Sequence, residues 1–234
     1  MKTINIKGTI VSNNLYDIYD YLGMEATAPK MVMQSLPPSN EDVEVIINSG
    51  GGDVFAGSEI FTMLKSYKGH VTIKIVGLAA SAASFIAMAG DKVLISPTGQ
   101  MMIHNVATSG SGDYRDFESM AHALKSANQS IINAYKTKIN KSDEELQSLM
   151  DKETWFNANT ALEHGFVDEI MFDEDKRISG QFVASLGGVM LSDDVIAKVS
   201  ELMENKKQQE EKQYKDTMQA KLKLLKLRGE PNGD

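Results

Sequence analysis

The stretch Val43-Glu-Val-Ile-Ile-Asn-Ser-Gly-Gly-Gly-Asp53, with residues 54–67 and 71–76 behind it, decides the fold class. Residues 43–48 and 71–76 are rich in β-branched side chains, which is typical of strands. Between them, after a glycine-rich turn, apolar residues recur near helical spacing. A strand, a turn, a helix and a second strand form a βαβ unit, and such a unit implies a parallel sheet.

The flanking segments continue this α/β pattern. Residues 4–10 alternate polar and apolar side chains as a strand does, and residues 92–96 and 100–104 predict two strands joined by the turn 97–99. A long amphipathic helix is predicted from about Asp113 to about Asn140. Ser142 and Glu145 have the spacing of a capping box, which predicts a short helix directly after it.

The composition changes near Ser192, and this change predicts the domain organisation. Of the 234 residues, 42% are hydrophobic, which is enough for one sizeable core. From Glu201 onward the chain is rich in Lys, Glu and Gln. We therefore expect one α/β domain over residues 1–191 and a charged helical C-terminal extension, partly disordered, over residues 192–234.

Composition also limits the class of protein. No window reaches the run of about 18 apolar residues that a membrane helix needs. The net charge of −8 argues against a nucleic-acid partner. With no cysteine there is neither a disulfide framework nor a thiolate metal site, which fits a reducing compartment. We expect a cytoplasmic protein with no membrane or nucleic-acid partner and no metal or organic cofactor.

Two short segments carry the chemistry. The small-residue run 77–83 places Ser81 between a hydrophobic strand and a predicted helix, and His104 ends an apolar strand-like run. A serine hydroxyl is a poor nucleophile until a base takes its proton, and histidine is the usual base near neutral pH. Each residue alone is weak evidence, because serines cap helices and histidines end strands. Together, after a glycine edge and within one α/β unit, they indicate acyl transfer.

The glycine run 50–52 matches neither the dinucleotide fingerprint nor a P-loop, so nucleotide binding is disfavoured. We interpret it as an extended edge that lies beside a substrate backbone and offers an N–H group to a carbonyl oxygen. Such a donor is worth roughly 3 kcal/mol of transition-state stabilisation when it belongs to an oxyanion hole.

Four blocks of the sequence resemble, in order and spacing, those of the Clp protease proteolytic subunit: residues 48–57, 77–84, 101–104 and 161–168. The resemblance spans about residues 4–170 and is greatest to the phage-encoded branch, the head maturation (prohead) proteases. It implies an α/β fold of the ClpP/crotonase type, a spiral of βαβ units with a protruding helical arm.

The resemblance also implies roles for individual residues. Ser81 corresponds to the nucleophile and His104 to the general base. The backbone N–H groups of Gly52 and Ala82 correspond to the oxyanion hole, with Gly51 beside them at the substrate edge.

The third member of the triad is where this sequence departs from the family, which generally has an aspartate there. Counting back from Gly165 places that position on Glu153, and Asp151 is the alternative if the loop shifts by two residues. Glutamate can orient an imidazole as aspartate does, because the requirement is an acceptor for the far ring nitrogen. Asp168 is expected to be structural.

The favoured hypothesis is therefore a serine endopeptidase that cleaves polypeptides, with capsid or scaffold proteins as substrates if the phage branch applies. The resemblance implies a homo-oligomeric ring, a heptamer or stacked heptamers, in the host cytoplasm or inside proheads. The short chain before Ile4 argues against docking of an AAA+ unfoldase. The C-terminal extension resembles an assembly or scaffold-interacting segment.

Two other functions stay open at this point. A crotonase-like acyl-CoA enzyme shares the fold and polarises a thioester with glycine-edge N–H groups, but it has no need of a serine–histidine pair. A catalytically decayed structural or scaffold component is the second alternative, because the acid of the triad is substituted.

Overall fold

The computed structural model describes residues 1–172 and Lys198. The chain divides into two units, Met1–Met190 and Leu191–Asp234. Apart from Lys198, the predicted C-terminal extension lies outside the described residues, and its helical character stays a prediction.

Strands and helices alternate along the described chain, as the sequence predicts. In chain order they are β1 (Lys2–Ile10), α1 (Tyr16–Tyr21), β2 (Ala26–Thr27), α2 (Pro29–Ser35), β3 (Val43–Gly52), α3 (Val54–Ser66), β4 (Val71–Ala80), α4 (Ala82–Ala87), β5 (Lys92–Ile95), β6 (Gln100–Ile103), α5 (Tyr114–Lys136), α6 (Asp143–Asp151), β7 (Thr154–Asn157), α7 (Ala158–Glu163) and β8 (Glu169–Ile170).

The strands form one sheet whose main path runs β2-β1-β3-β4-β5-β8, with every neighbouring pair parallel. β4 is long enough to hold two partners on the same side. Its first half pairs with β5, and its last residues, from Leu78 to Ala80, pair with β6. β6 in turn pairs antiparallel with β7. The mixed α/β fold with a parallel sheet is therefore confirmed.

One face of the sheet forms the core. Alternate residues of β3 and β4, among them Val45, Ile47, Ile73 and Ile75, are completely buried, as are their neighbours on β1 and β5. Burying each such side chain contributes about 1.5–3 kcal/mol. This packing fixes the carboxyl ends of β3 and β4, where ligands bind in open α/β sheets.

The long helix α5 begins at a strong cap. The side chain of Asp113 accepts hydrogen bonds from the backbone N–H groups of Arg115 and Asp116. The Asp116 carboxylate accepts one from the Asp113 backbone N–H, which completes a capping box. The helix ends at Lys136, four residues before the predicted end, because Thr137 caps it. Four residues of its last turns, Ile131, Ile132, Ala134 and Tyr135, are buried against the core, whereas Tyr114 and Phe117 near its start are exposed.

The helix predicted from Ser142 is confirmed, with the capping box to Glu145 in place. Within residues 1–172 and at Lys198, no helix has the length and apolarity needed to cross a bilayer.

Candidate active site

Ser81 stands at the sharp turn between β4 and α4, which we call the elbow (residues 80–82). Its backbone has φ +53° and ψ −122°, a conformation that side-chain-bearing residues rarely adopt. The Ser81 N–H donates to the carbonyl oxygen of Met102 at 2.9 Å, which ties the elbow to β6. Such strain persists only where the surrounding structure enforces it, and it is characteristic of catalytic turns.

His104 lies one residue beyond the end of β6, on the strand that supports the elbow. Its Nε2 is 2.8 Å from the Ser81 Oγ. The pairing of β6 with the end of β4 accounts for this meeting, because Met102 lies opposite Ala80 in the parallel register. The two residues that the sequence pairs as nucleophile and base are thus within hydrogen-bond reach of each other.

The elbow has a second support that sequence reasoning missed. The Ser84 hydroxyl donates to the Ser81 carbonyl oxygen at 2.6 Å, and it is 2.7 Å from the Tyr135 hydroxyl. Because the one proton of Ser84 is used on that carbonyl, Tyr135 must donate to Ser84. Complete burial raises the pKa of the Tyr135 phenol, so it keeps the proton that it donates. The two residues are 51 positions apart, and nothing in their local sequence marks the pair.

The glycine edge packs directly against the elbow. A Cβ on Gly51, which has φ +93°, would stand 2.7 Å from the Ser81 Cβ and 2.8 Å from the Ala82 nitrogen. A Cβ on Gly52 would stand 2.1 Å from the Ile10 carbonyl oxygen. Only glycine fits either position, and at Gly51 the lack of a side chain lets the backbone of the edge pack directly on the elbow.

Two backbone N–H groups near the elbow differ in their hydrogen bonding. The Ser49 hydroxyl donates to the Gly8 carbonyl oxygen at 2.6 Å and accepts from the Gly51 N–H at 3.1 Å. The Ala82 N–H is the first of α4 and has no acceptor among residues 1–172. It is therefore available to an oxygen at the elbow.

These groups line one cleft of about 600 Å³. Its lining includes Gly51 and Gly52 of the glycine edge, Ser81 and His104, and the edge of the buried Tyr135 on α5. Residues 105–107, which follow His104, line it as well. The cleft can take an extended chain along the glycine edge with a carbonyl carbon near the Ser81 oxygen.

Glu153 immediately precedes β7, the strand that pairs with β6. β6 and β7 pair antiparallel, with Met102 opposite Trp155 and Ile103 opposite Thr154. The ladder ends there, and His104 and Glu153 are the next residues beyond it on the two strands. The Glu153 backbone is left-handed, at φ +48°, and its side chain is exposed. In the described part of the chain, no hydrogen bond joins its carboxylate to the His104 Nδ1.

Asp151, the alternative acid, contacts the residue after the histidine. Its Oδ1 accepts hydrogen bonds from the Asn105 Nδ2 at 2.8 Å and the Gln147 Nε2 at 2.7 Å. The bond from Asn105, followed by that from Gln147, holds the pKa of the Asp151 carboxyl below its usual range.

Asp168 has the structural role expected of it. Its carboxylate accepts from the Val93 N–H at 2.6 Å and lies 2.7 Å from the Lys138 ammonium.

The remaining histidines lie outside the cleft. His122 is exposed on α5, and His70 is half exposed beside Asp91. His164, in contrast, is not fully exposed. Its ring is half-buried against Phe156, with centroids 5.1 Å apart, and its Nδ1 is buried without a hydrogen-bond partner in the described chain. Over those same residues, no three His, Asp or Glu side chains cluster as metal ligands would.

Comparison with known proteins agrees with this geometry. Residues 14–174 match the family model of the Clp protease. The chain belongs to the Clp protease family. It is 29% identical over 147 residues to the ATP-dependent Clp protease proteolytic subunit 1 of Chlamydia muridarum (strain MoPn / Nigg), an alignment that covers 61% of this chain and 77% of the relative.

A solved structure shows the same fold. An asparagine-to-aspartate mutant of ClpP1 from Listeria monocytogenes superposes with a TM-score of 0.57 at 27% identity, over 73% of this chain and 91% of the other. The family resemblance deduced from the four sequence blocks is therefore confirmed, and with it membership of a family of peptidases. The assignment to the phage-encoded branch stays a prediction.

Proposed function

We propose that this chain is a serine endopeptidase that cleaves polypeptides with Ser81 as nucleophile and His104 as general base. The observation that carries the proposal is the 2.8 Å contact between the His104 Nε2 and the Ser81 Oγ at a strained elbow, inside a cleft edged by glycine. A serine that merely capped a helix would need neither a histidine at its hydroxyl nor a left-handed backbone.

The reaction follows from this arrangement. His104 takes the Ser81 proton as the oxygen attacks the scissile carbonyl, and the imidazolium then gives that proton to the leaving amine. The N–H groups of Gly52 and Ala82 stabilise the oxyanion, each worth about 3 kcal/mol in the transition state. Water enters after the amine leaves and hydrolyses the acyl-enzyme by the reverse sequence of proton transfers.

Glu153 is the proposed orienting acid. It directly precedes Thr154, which lies opposite Ile103 in the pairing of β6 and β7, and counting back from Gly165 assigns it to the position of the family's aspartate. In this role its carboxylate would accept a hydrogen bond from the Nδ1–H of the imidazole. Its role is to fix the ring tautomer and to compensate the imidazolium charge.

Assembly into a homo-oligomeric ring is proposed from the family and from α5. Tyr114 and Phe117 are 71% and 51% exposed on the first turns of this helix. Monomeric proteins rarely leave aromatic residues clustered in this way. A heptamer or a pair of stacked heptamers, with α5 at the contact between rings, would cover them. In the phage-encoded branch the polypeptide substrates would be capsid or scaffold proteins in the host cytoplasm.

A catalytically decayed scaffold protein is the second candidate, and one observation favours it: the Nδ1 of His104 has no hydrogen-bond partner within residues 1–172. The crotonase-like alternative has no comparable support, because that chemistry does not use the serine–histidine pair seen here.

A fluorophosphonate probe on the assembled protein tests the proposal. Such probes bond only to serines whose proton has a base to receive it. Labelling at Ser81, with hydrolysis of a fluorogenic peptide, is the expected result, and Ser81→Ala is the control. An assembled protein that neither takes the label nor hydrolyses any peptide would be the scaffold protein.

A further inference from the structure

The chain has no regular structure directly after the catalytic histidine. The hydrogen-bonded ladder of β6 ends at Ile103, and residues 104–113 belong to no strand or helix. His104 therefore takes its position from the strand on one side only. On the other side the contacts of Asn105 and Val106 must hold it.

One asparagine of α5 clamps both of those residues. The Asn128 Nδ2 donates to the Asn105 Oδ1 at 2.8 Å, and the Asn128 Oδ1 accepts from the Val106 backbone N–H at 2.8 Å. Both ends of a single side-chain amide are thus used on two consecutive residues. Asn105 and Asn128 are both half-buried, so water competes only partly for these bonds.

The helix α6 holds Asn105 from the other side. The Gln147 Nε2 donates to the Asn105 Oδ1 at 2.9 Å, and the Asn105 Nδ2 donates to the Asp151 Oδ1 at 2.8 Å. Gln147 also donates to Asp151, at 2.7 Å. We call these four residues, Asn105, Asn128, Gln147 and Asp151, the amide network.

The direction of every bond in the amide network is determined by its two ends. The Asp151 carboxylate can only accept, so the Asn105 amide must turn its NH₂ group toward it. The Asn105 oxygen then faces Asn128, which must donate. The Asn128 oxygen consequently faces the Val106 N–H, which is itself a donor. Each polar atom of the clamp meets a partner of the opposite kind.

We propose that Asn105 and Asn128 are positioning residues that hold His104 at the Ser81 hydroxyl, and that they act through the amide network. The inference rests on the proposed peptidase function. Catalytic groups must be held to within a fraction of an ångström, and a displacement of about 1 Å can cost about a hundredfold in rate. A covalent neighbour fixed at three points, on two helices, provides this.

Gln129 offers a matched control on the same helix. It is the next residue after Asn128, and its amide likewise ties α5 to a neighbouring element, in this case α6, by donating to the Asp143 Oδ2 at 2.7 Å. No hydrogen bond joins its side chain to residues 104–106. Removal of either amide weakens the attachment of α5 to its neighbours, but only removal of Asn128 frees the segment after His104.

The first experiment compares Asn105→Ala, Asn128→Ala and Gln129→Ala on a fluorogenic peptide. The two network variants should lose between about tenfold and about a hundredfold in kcat with KM unchanged, and fluorophosphonate labelling of Ser81 should slow in parallel. Gln129→Ala should match the wild type. An equal loss in all three variants would overturn the proposal, and so would a loss confined to KM, which would make Asn105 a substrate contact.

A second experiment reverses the polarity of the amide network. In Asn128→Asp, a carboxylate lies at each end of the Asn105 amide. Because only one end of that amide can donate, one of the two hydrogen bonds is lost, and kcat should fall. Adding Asp151→Asn supplies a donor at the other end, so that the Asn105 and Gln147 amides can turn over together and every bond of the network reverses its direction. The double variant should recover most of the lost kcat. A double variant no better than Asn128→Asp contradicts the network.

A third readout does not depend on activity. The chain has four histidines, so the ring signals of a ¹³C-histidine-labelled sample can be assigned by substitution. Asn128→Ala should shift or broaden the His104 signal and leave His70 and His122 unchanged, and Gln129→Ala should change none. An unchanged His104 signal overturns the positioning role. If wild-type protein takes no fluorophosphonate while the His104 signal responds as expected, the peptidase function fails and the positioning stands.

Discussion

At the residue scale, the conformation of Ser81 is maintained against its own steric preference. A side-chain-bearing residue in the left-handed region costs about 1–2 kcal/mol. Two hydrogen bonds oppose this cost, one from the Ser81 N–H to Met102 and one from Ser84 to the Ser81 carbonyl oxygen. Each is worth about 1 kcal/mol net. The elbow is therefore held through the backbone N–H and carbonyl groups of Ser81, and the Ser81 hydroxyl is available to His104.

Ser81→Ala should abolish peptide hydrolysis and leave the fold and assembly intact. The Oγ has His104 as its hydrogen-bond partner, and alanine meets the same backbone strain as serine, so the melting temperature should stay within about 2 °C of wild type. Calorimetry and a fluorogenic assay on the same sample check this. Substantial residual hydrolysis would exclude Ser81 as nucleophile, and a large drop in melting temperature would attribute the loss to unfolding.

Glu153→Gln should lower turnover by orders of magnitude if Glu153 orients His104. The amide keeps the shape of the side chain but removes the negative charge that compensates the imidazolium. The matched variant is Asp151→Asn, which should be mild, because the asparagine oxygen can still accept from Asn105 and Gln147. Steady-state kinetics of both variants decide between the acids. If Asp151→Asn is the crippling change, Asp151 is the orienting acid, and if neither matters the site works as a dyad.

At the element scale, the carboxyl-terminal half of α5 supports the active site. Tyr135 donates to Ser84 under the elbow, and Asn128, two turns earlier on the same face, clamps the segment after His104. The sequence predicts this helix from its amphipathic pattern, but it cannot show which polar residues of the helix face the site. Those contacts join residues 23 and 51 positions apart and depend on how the helix docks.

Tyr135→Phe should test the support under the elbow. It removes the donor to Ser84 inside the core, so the free energy of unfolding should fall by about 1–3 kcal/mol and kcat should fall with it. Tyr67→Phe is the control, since its hydroxyl donates to the Glu41 carbonyl oxygen at 2.7 Å near the surface, away from the cleft. Urea unfolding and steady-state kinetics measure both. An unchanged kcat in Tyr135→Phe would show that Tyr135 does not support the elbow.

The attachment of α6 should depend on pH at the acidic end. Hydrogen bonds from the Lys136 ammonium and then from Gln129 lower the pKa of the Asp143 carboxyl. Because its folded pKa lies below the unfolded value of about 3.9, the stabilisation is fully present above that pH and is lost as pH falls through the folded pKa. Asp143→Asn should therefore melt below wild type at pH 6, and the two melting temperatures should converge below pH 4. A constant difference at all pH values would exclude the carboxylate as its source.

At the scale of the whole molecule, local sequence patterns predict the fold well. They predict poorly which residues support Ser81 and His104. The βαβ unit, the capping box at Ser142 and the pairing of Ser81 with His104 depend on short segments whose chemistry is visible in the sequence. The pairing of β4 with both β5 and β6 is not visible in the sequence, because both partners have the pattern of ordinary strands. The amide network and the partial burial of His164 cannot be predicted from the sequence either, because each is formed by segments that meet only in the folded chain.

Phe117→Glu should test the proposed assembly through α5. A charge on a half-exposed aromatic position costs the isolated subunit little, but it would be buried unpaired at a contact between rings. The expected result is a particle of half the wild-type mass in sedimentation, with Phe117→Leu, which keeps an apolar surface, sedimenting as wild type. A wild-type monomer at micromolar concentration would refute the ring. An unchanged mass for Phe117→Glu would show that the contact between rings is made by another surface. Because α5 also carries Asn128 and Tyr135, loss of this contact should lower kcat as well as mass, and both are measured on the same fractions.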